Sequence, residues 1–263
     1  MNTAIVAPII FALAVLMAMT GHGGGNFYVL VLVLAGLPMH EAATTGQFVL
    51  FCTASAAMLI FGRGKKISVP LALFLGSVTA GMAFFGGLAA GAFSGRELKM
   101  LFSALVALAG FAMLLKPEEK KMEPSTGFGR WNLRAGDDLY VINLWLAAPA
   151  AAATGFFSGM VGVSGGSFLV PLMVLACGVP MRTAVGTASA LVAATAAAGF
   201  TGHVLREGFN LTQALPVAAA AVLGGLLGGK ITLRTKPSYL KLLFALTSLA
   251  AAVLMLINAT VSK

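Results

Sequence analysis

Charge is what this sequence most lacks. Of its 263 residues only 10% are Asp, Glu, Lys or Arg, against 59% hydrophobic, and the mean hydropathy is +0.96. Average soluble domains carry about 25% charged and roughly 45–50% apolar residues. A chain this poor in charge cannot cover its own surface in water, so lipid must face most of it. Cysteine is almost missing as well. Cys52 and Cys177 lie inside apolar runs without CxxC spacing, which gives neither a disulfide framework nor a metal site and reads as two small buried hydrophobes. Three scattered histidines and no intramembrane acid pairs make a poor cation site. No basic residue precedes Arg63, so the n-region of a cleavable signal is lacking and the first apolar run is expected to stay in the mature protein. No ATP-binding motif is present.

The charge that does exist sums to +9. It is spread over short loops and forms no aromatic-interleaved basic face, which argues against nucleic acid and for orientation on anionic headgroups. A membrane-crossing helix needs ~20 mostly apolar residues, and on that scale the chain divides into ten segments. Five fall in residues 1–115, near 4–20, 27–37, 42–61, 67–93 and 97–115. Five more fall in 139–263, near 139–161, 167–178, 183–205, 209–229 and 238–258. A loop over 116–138 separates them. Helix is the open-ended structure that satisfies its own backbone in lipid, so an all-α membrane protein is expected.

Segments two and seven, Phe27–Leu37 and Ser167–Gly178, are too short to span alone. At ~1.5 Å per residue a dozen residues reach only ~18 Å of a ~30 Å hydrocarbon core. Each follows a glycine cluster, Gly21-His-Gly-Gly-Gly-Asn26 or Gly162-Val-Ser-Gly-Gly-Ser167, and each meets a proline, Pro38 or Pro180. Whether each short segment crosses or re-enters is left open by the sequence.

The resemblance of these clusters extends further. Glu97-Leu-Lys-Met-Leu-Phe102 matches Tyr239-Leu-Lys-Leu-Leu-Phe244 at a shift of 142, which also carries Pro38-Met39 onto Pro180-Met181 and Gly86-Gly87 onto Gly228-Gly229. A shift of 141 carries Gly24-Gly25 onto Gly165-Gly166. One nearly constant shift through separated landmarks points to an internal duplication. Arg63, Lys65 and Lys66 precede segment four, whereas Lys230, Arg234 and Lys236 follow segment nine, so the positive loop has moved by one crossing. Under the positive-inside rule the halves are then two inverted repeats of about five helical segments, with the central loop cytoplasmic and both termini outside.

Inverted repeats with broken helices place a substrate near the midplane, where half-helix N-termini meet. Asn26 and Ser167 are placed to cap the two half-helices, and an exposed helix N-terminus suits an anion without a buried Lys or Arg. The candidate substrate-binding residues are therefore His22, Gly24, Gly25, Asn26, Thr45 and Gln47 in the first half. In the second they are Ser164, Gly165, Gly166, Ser167, Arg182, Thr187 and Ser189. Thr45 maps onto Thr187 at the shift of 142. Each hydroxyl could instead bond its own helix carbonyl one turn back. Arg182 could guide an anion or snorkel to the headgroups, and His22 could carry a coupled proton or simply bond at a helix end. A rival reading takes Gly162-Val-Ser-Gly165 as the GxSG of an intramembrane serine protease, with Ser164 as nucleophile and His203 as base; the first cluster, GHGGG, supplies no matching serine.

The run Gly155–Val204, GFFSGMVGVSGGSFLVPLMVLACGVPMRTAVGTASALVAATAAAGFTGHV, resembles the second half of the TauE/SafE family of sulfite exporters, and GHGGG with PMHEAATTGQF resembles its degenerate copy. That resemblance implies a multi-pass carrier of the bacterial inner membrane. It would move sulfite or a small organosulfur anion outward by alternating access, with no cofactor, no metal and no catalysis. Two departures stand out: GTAS at Gly186–Ser189 where the family has GTS, and His22 where a hydrophobic residue is usual.

Overall fold

Ten helices make up nearly all of the computed structural model, which describes residues 3–90, 95–114, 128–135, 138–161, 166–207 and 209–261. The first half contains α1 (Thr3–Thr20), α2 (Gly25–Leu34), α3 (Met39–Arg63), α4 (Val69–Ala90) and α5 (Gly95–Leu114). The second contains α6 (Leu144–Val161), α7 (Gly166–Pro171, continued by a π-helical turn over Leu172–Ala176), α8 (Met181–Glu207), α9 (Leu211–Arg234) and α10 (Pro237–Val261). By length and composition α3, α8, α9 and α10 are long and apolar enough to cross a membrane. Large apolar side chains such as Leu73, Leu108, Leu223 and Val253 point outward, which only a lipid surround makes stable.

The sequence leads one to expect helix from Leu139, and here the structure differs. Arg130–Ala135 (β1) and Asp138–Asn143 (β2) form an antiparallel hairpin, in register from Arg130 opposite Asn143 to Ala135 opposite Asp138. The reason is local: Tyr140, Val141 and Ile142 favour an extended chain, and a two-stranded pair needs only each other and a packing surface. Trp131 supplies that surface by meeting Phe74 of α4 edge-on, with ring centroids 5.9 Å apart. The hairpin thus seats the end of the central loop on α4.

Five helix pairs make the main contacts between the halves: α1 lies along α9, α4 along α6, α3 along α8 and along α9, and α5 along α10. Small residues allow the close approaches. Gly224 meets Ala14 and Phe11, and one turn on Gly228 meets Val15 and Ala18, so α1 and α9 run in the same direction. Gly225 lies against Thr53 and Ala56, and Gly229 against Ile60, so α3 runs that way too. In contrast Gly186 packs on Phe61 and the Lys66 carbonyl while Gly199 packs on Gln47, so α8 is antiparallel to α3.

These directions decide what α2 does. Gly46 faces Val29, Gly25 faces Leu50, and the Tyr28 hydroxyl lies 3.2 Å from Thr53 Oγ1. The start of α2 is therefore level with the middle of α3, and its end is level with the start of α3. Since α1 runs with α3, α1 and α2 form a hairpin that enters, turns at Gly21–Gly24 and returns to the face it came from. A Schellman closure ends α2: Gly36 (φ 90) donates to Val33 O and Leu37 to Leu32 O. Pro38 then starts α3.

The helix directions also sort the charge. The C-terminal ends of α3 and α9 lie at one face, with Arg63, Lys65, Lys66, Lys230, Arg234 and Lys236. Their N-terminal ends, with Glu41 and Asn210, lie at the other. In a protein whose two native cysteines are replaced by alanine, cysteines introduced at Gly36 and Leu211 will react with a membrane-impermeant maleimide from one face. A cysteine at Lys65 will react only from the other; labelling of Gly36 and Lys65 from the same side would contradict the hairpin.

Candidate functional site

The start of α7 meets the first glycine cluster. An added Cβ on Gly166, in the first turn of α7, would lie 2.7 Å from the carbonyl oxygens of both Gly21 and His22. No other residue allows this approach, because any side chain would displace two backbone carbonyls. Gly21 in turn rests on Val170 of α7 and Val185 of α8. The first cluster turns through left-handed backbone at Gly21, Gly23 and Gly24 (φ 73, 81 and 72), and Gly24 is packed so closely on Met17 that a side chain there would clash.

The helix starts differ from the caps that the sequence suggests. Gly24 is the N-cap of α2, without a side-chain cap, and Asn26 already lies inside the helix. The carbonyl of Gly24 accepts from Phe27 and Tyr28, while the N–H groups of Gly25 and Asn26 stand at the helix start, where no intrahelical acceptor exists. Ser167 is buried in the first turn of α7. Ser164 and Gly165 lie outside the described residues.

Beside this junction is a small void of about 10 Å³ between Met17, Ala18, Gly21, Gly23, Thr53, Ala54, Ala57, Ser189 and Val192. That is the room of about one water molecule, too little for an oxyanion, so the centre is closed in this conformation. Its polar lining is the hydroxyls of Thr53 and Ser189 plus glycine backbone. Ser189 donates to Val185 O (2.9 Å) and Thr53 to Val49 O (2.9 Å), each within its own helix.

The other candidates are distributed around this centre rather than gathered in it. The His22 ring stacks on Phe244 (centroids 4.1 Å) and its Nε2 shares a 2.8 Å hydrogen bond with Ser248 Oγ of α10, whereas its Nδ1 is buried without a partner. Gln47 lies at the α3–α8 contact against Gly199. Thr187 is near the basic face, where its Oγ1 accepts from the Ser68 N–H (3.1 Å) at the start of α4. Arg182 donates through Nε and Nη2 to the Thr235 carbonyl (3.1 and 2.7 Å), closing the end of α9. Thr45 lines a separate cavity of about 570 Å³ at the opposite face, with Glu41, Thr44, Phe209, Asn210, Leu211, Thr212 and Gln213.

Sequence reasoning missed three residues at the centre. Thr53 lines the void, Tyr28 bonds it, and Ser248 holds His22. Thr53 sits eight residues after Thr45, so helical spacing could have placed both on one face; Ser248 carries no signal because its partner is 226 residues away.

The sequence pattern of the Sulfite exporter TauE/SafE family matches residues 6–255. Two proteins of Bacillus subtilis (strain 168) are similar. Probable membrane transporter protein YunE is 25% identical over 195 residues, covering 72% of this chain and 71% of that protein. Probable membrane transporter protein YdhB is 21% identical over 253 residues, covering 94% and 98%. No solved structure matches. By name these relatives are membrane transporters, and none supports the protease reading of Ser164 and His203.

Substituting Gly166 by alanine pushes a methyl into two carbonyl oxygens, and overpacking of this kind costs ~1–3 kcal/mol. The purified protein will lose thermal stability in detergent, read as an earlier loss of the monodisperse elution peak on heating. An unchanged profile would mean that the start of α7 does not touch the first cluster.

Proposed function

The chain belongs to the Sulfite exporter TauE/SafE family, and on that premise we propose that this membrane transporter carries sulfite or a small sulfonate-like anion out of a bacterial cell, across the inner membrane, by alternating access. The observation that carries the reading is the contact of Gly166, in the first turn of α7, with the carbonyls of Gly21 and His22 in the first glycine cluster. Broken helices are stable at membrane depth only when protein covers them or when they line a cavity. The N–H groups at the start of α2 lie near the small void that Thr53 and Ser189 help to line, and a helix start of this kind holds an anion without a buried cation.

Several features support two inverted repeats, residues 1–115 and 139–263, joined by a cytoplasmic linker over 116–138. The sequence shift pairs α3 with α8, and these helices run antiparallel. The same pairing exchanges the α1–α9 contact with α6–α4 and sends α3–α8 and α5–α10 onto themselves. Pro8 of α1 and Pro149 of α6 recur at a shift of 141. Placing the basic face inside follows the positive-inside rule.

On the face away from the basic residues a cavity of about 570 Å³ stands open between the starts of α3 and α9. At the basic face the corresponding ends of α8 and α4 are joined through Thr187 and Ser68. In the proposed cycle the halves rock about the breaks, the N–H groups at Gly24–Asn26 and Gly165–Ser167 hold the anion, and Thr53 and Ser189 complete its shell. Thr45, Gln47 and Thr187 line the route on either side, Arg182 sits at its inner end, and His22 is the group that would take up a coupled proton. An inside-negative potential contributes ~2.3 kcal/mol per charge per 100 mV to anion efflux, so export needs no such coupling.

Proteoliposomes containing the purified chain will show saturable sulfite or methanesulfonate flux that accelerates toward the positive side of an imposed potential. Ser167→Ala and Ser189→Ala will each lower it about ten-fold, the worth of one hydrogen bond to a charged group. Flux equal to that of the unaltered protein in both variants would rule out the central site.

A further inference from the structure

The open cavity at the face away from the basic residues has the makings of a second binding site, and we propose that it is an entry-exit subsite for a singly charged small oxyanion. In this proposal Thr45 and the first turn of α9 hold the anion, and Glu41 disfavours doubly charged ones. The inference rests on the oxyanion reading above and adds where the ion pauses and what sets its charge.

Thr45 is the first observation. It is 7% exposed, and among the described residues its hydroxyl has no hydrogen-bond partner, not even its own helix carbonyl. Thr20, Thr53, Thr232 and Thr247 all bond the carbonyl one turn back. The side chain is enclosed by protein while its unpaired hydroxyl is left open to the cavity that it lines.

The second observation is the helix start facing it. Asn210 caps α9 by accepting from the Gln213 N–H (3.3 Å), and its carbonyl accepts from Ala214. The N–H groups of Leu211 and Thr212 are left at the mouth of a helix of 24 residues, both lining the same cavity. Two backbone donors, a helix dipole and a free hydroxyl border this one cavity, and these are donor types that a small oxyanion takes.

The other half shows the same place occupied. The shift of 142 carries Thr45 onto Thr187 and Ser68 onto Asn210, and the Thr187 hydroxyl accepts the N–H of Ser68 just before α4. On the basic face hydroxyl and helix start satisfy each other; on the opposite face they stand apart with a cavity between them. An anion bridging Thr45 and α9 satisfies both groups on the open side.

Glu41 supplies the selectivity. It lies in the first turn of α3 and is the one formal charge among the described residues lining the cavity. Its carboxylate repels every anion, and a dianion about twice as strongly as a monoanion, so its presence moves the preference of the cavity toward the monoanion.

The test uses the full chain in sidedness-sorted proteoliposomes, with methanesulfonate as monoanion and sulfate as dianion. Thr45→Val will raise the half-saturation concentration for methanesulfonate about ten-fold on the face bearing Glu41 and leave the other face unchanged, and Thr45→Ser will restore it. Glu41→Gln will shift the methanesulfonate-to-sulfate preference toward sulfate by on the order of five-fold. Unaltered half-saturation in Thr45→Val together with an unaltered preference in Glu41→Gln overturns the subsite while leaving the transporter reading intact. Absence of saturable flux of either anion, or of sulfite, in the unaltered protein overturns the oxyanion reading and the subsite with it.

Discussion

A peptide group cannot be left unpaired in hydrocarbon, and the rest of this structure follows from how the chain meets that demand in the places where it breaks its helices. Each lipid-exposed unsatisfied N–H or C=O costs several kcal/mol, so a chain that interrupts a helix in mid-membrane must bring protein to the gap. Here the start of α7 covers the gap after α1. Gly166 lies on the carbonyls of Gly21 and His22, and Val170 and Val185 seal Gly21. The hydrogen bond of His22 to Ser248 anchors the turn to α10, so the junction is held from both halves and from the α5–α10 pair.

That arrangement separates rigidity from function. Long helices packed through small residues, α3 against α8 and α9 and α1 against α9, set the frame. The short elements α2 and α7 hang from it by hairpins that return to the face they entered from or turn tightly into α8. Short half-helices keep few intrahelical bonds, so their ends depend on tertiary partners, and a shift of one half relative to the other changes those partners directly. The difference between Thr45 and Thr187 illustrates this. The Thr45 hydroxyl is free beside a cavity at one face, whereas the Thr187 hydroxyl is bonded to a helix start at the other.

The hairpin over Arg130–Asn143 is the one element that the hydropathy pattern conceals. Tyr140-Val-Ile142 reads as the first turn of an apolar helix, yet β-branched residues beside a short turn pair as strands once Trp131 finds Phe74. Hydropathy reports solvent rather than backbone conformation, and at a headgroup-level boundary either conformation is satisfied.

Composition alone settled the solvent and the helical class, because a chain this apolar has few other stable forms in lipid. Residue spacing settled that two segments are too short to cross and begin at glycine clusters, since helix rise and glycine's freedom are local properties. Thr45, Gln47, Thr187, Ser189 and Arg182 were legible as polar groups in apolar surroundings, but their tasks were not. Whether a hydroxyl lines a void, caps a neighbour's helix or stands open at a mouth depends on which distant helix lies against it. Ser248 and Thr53 entered the centre on the same terms. Only the tertiary structure could bring Gly166 onto Gly21 and turn α2 back along α3, because the contacts that fix those directions join residues far apart in the chain and are invisible to any local pattern.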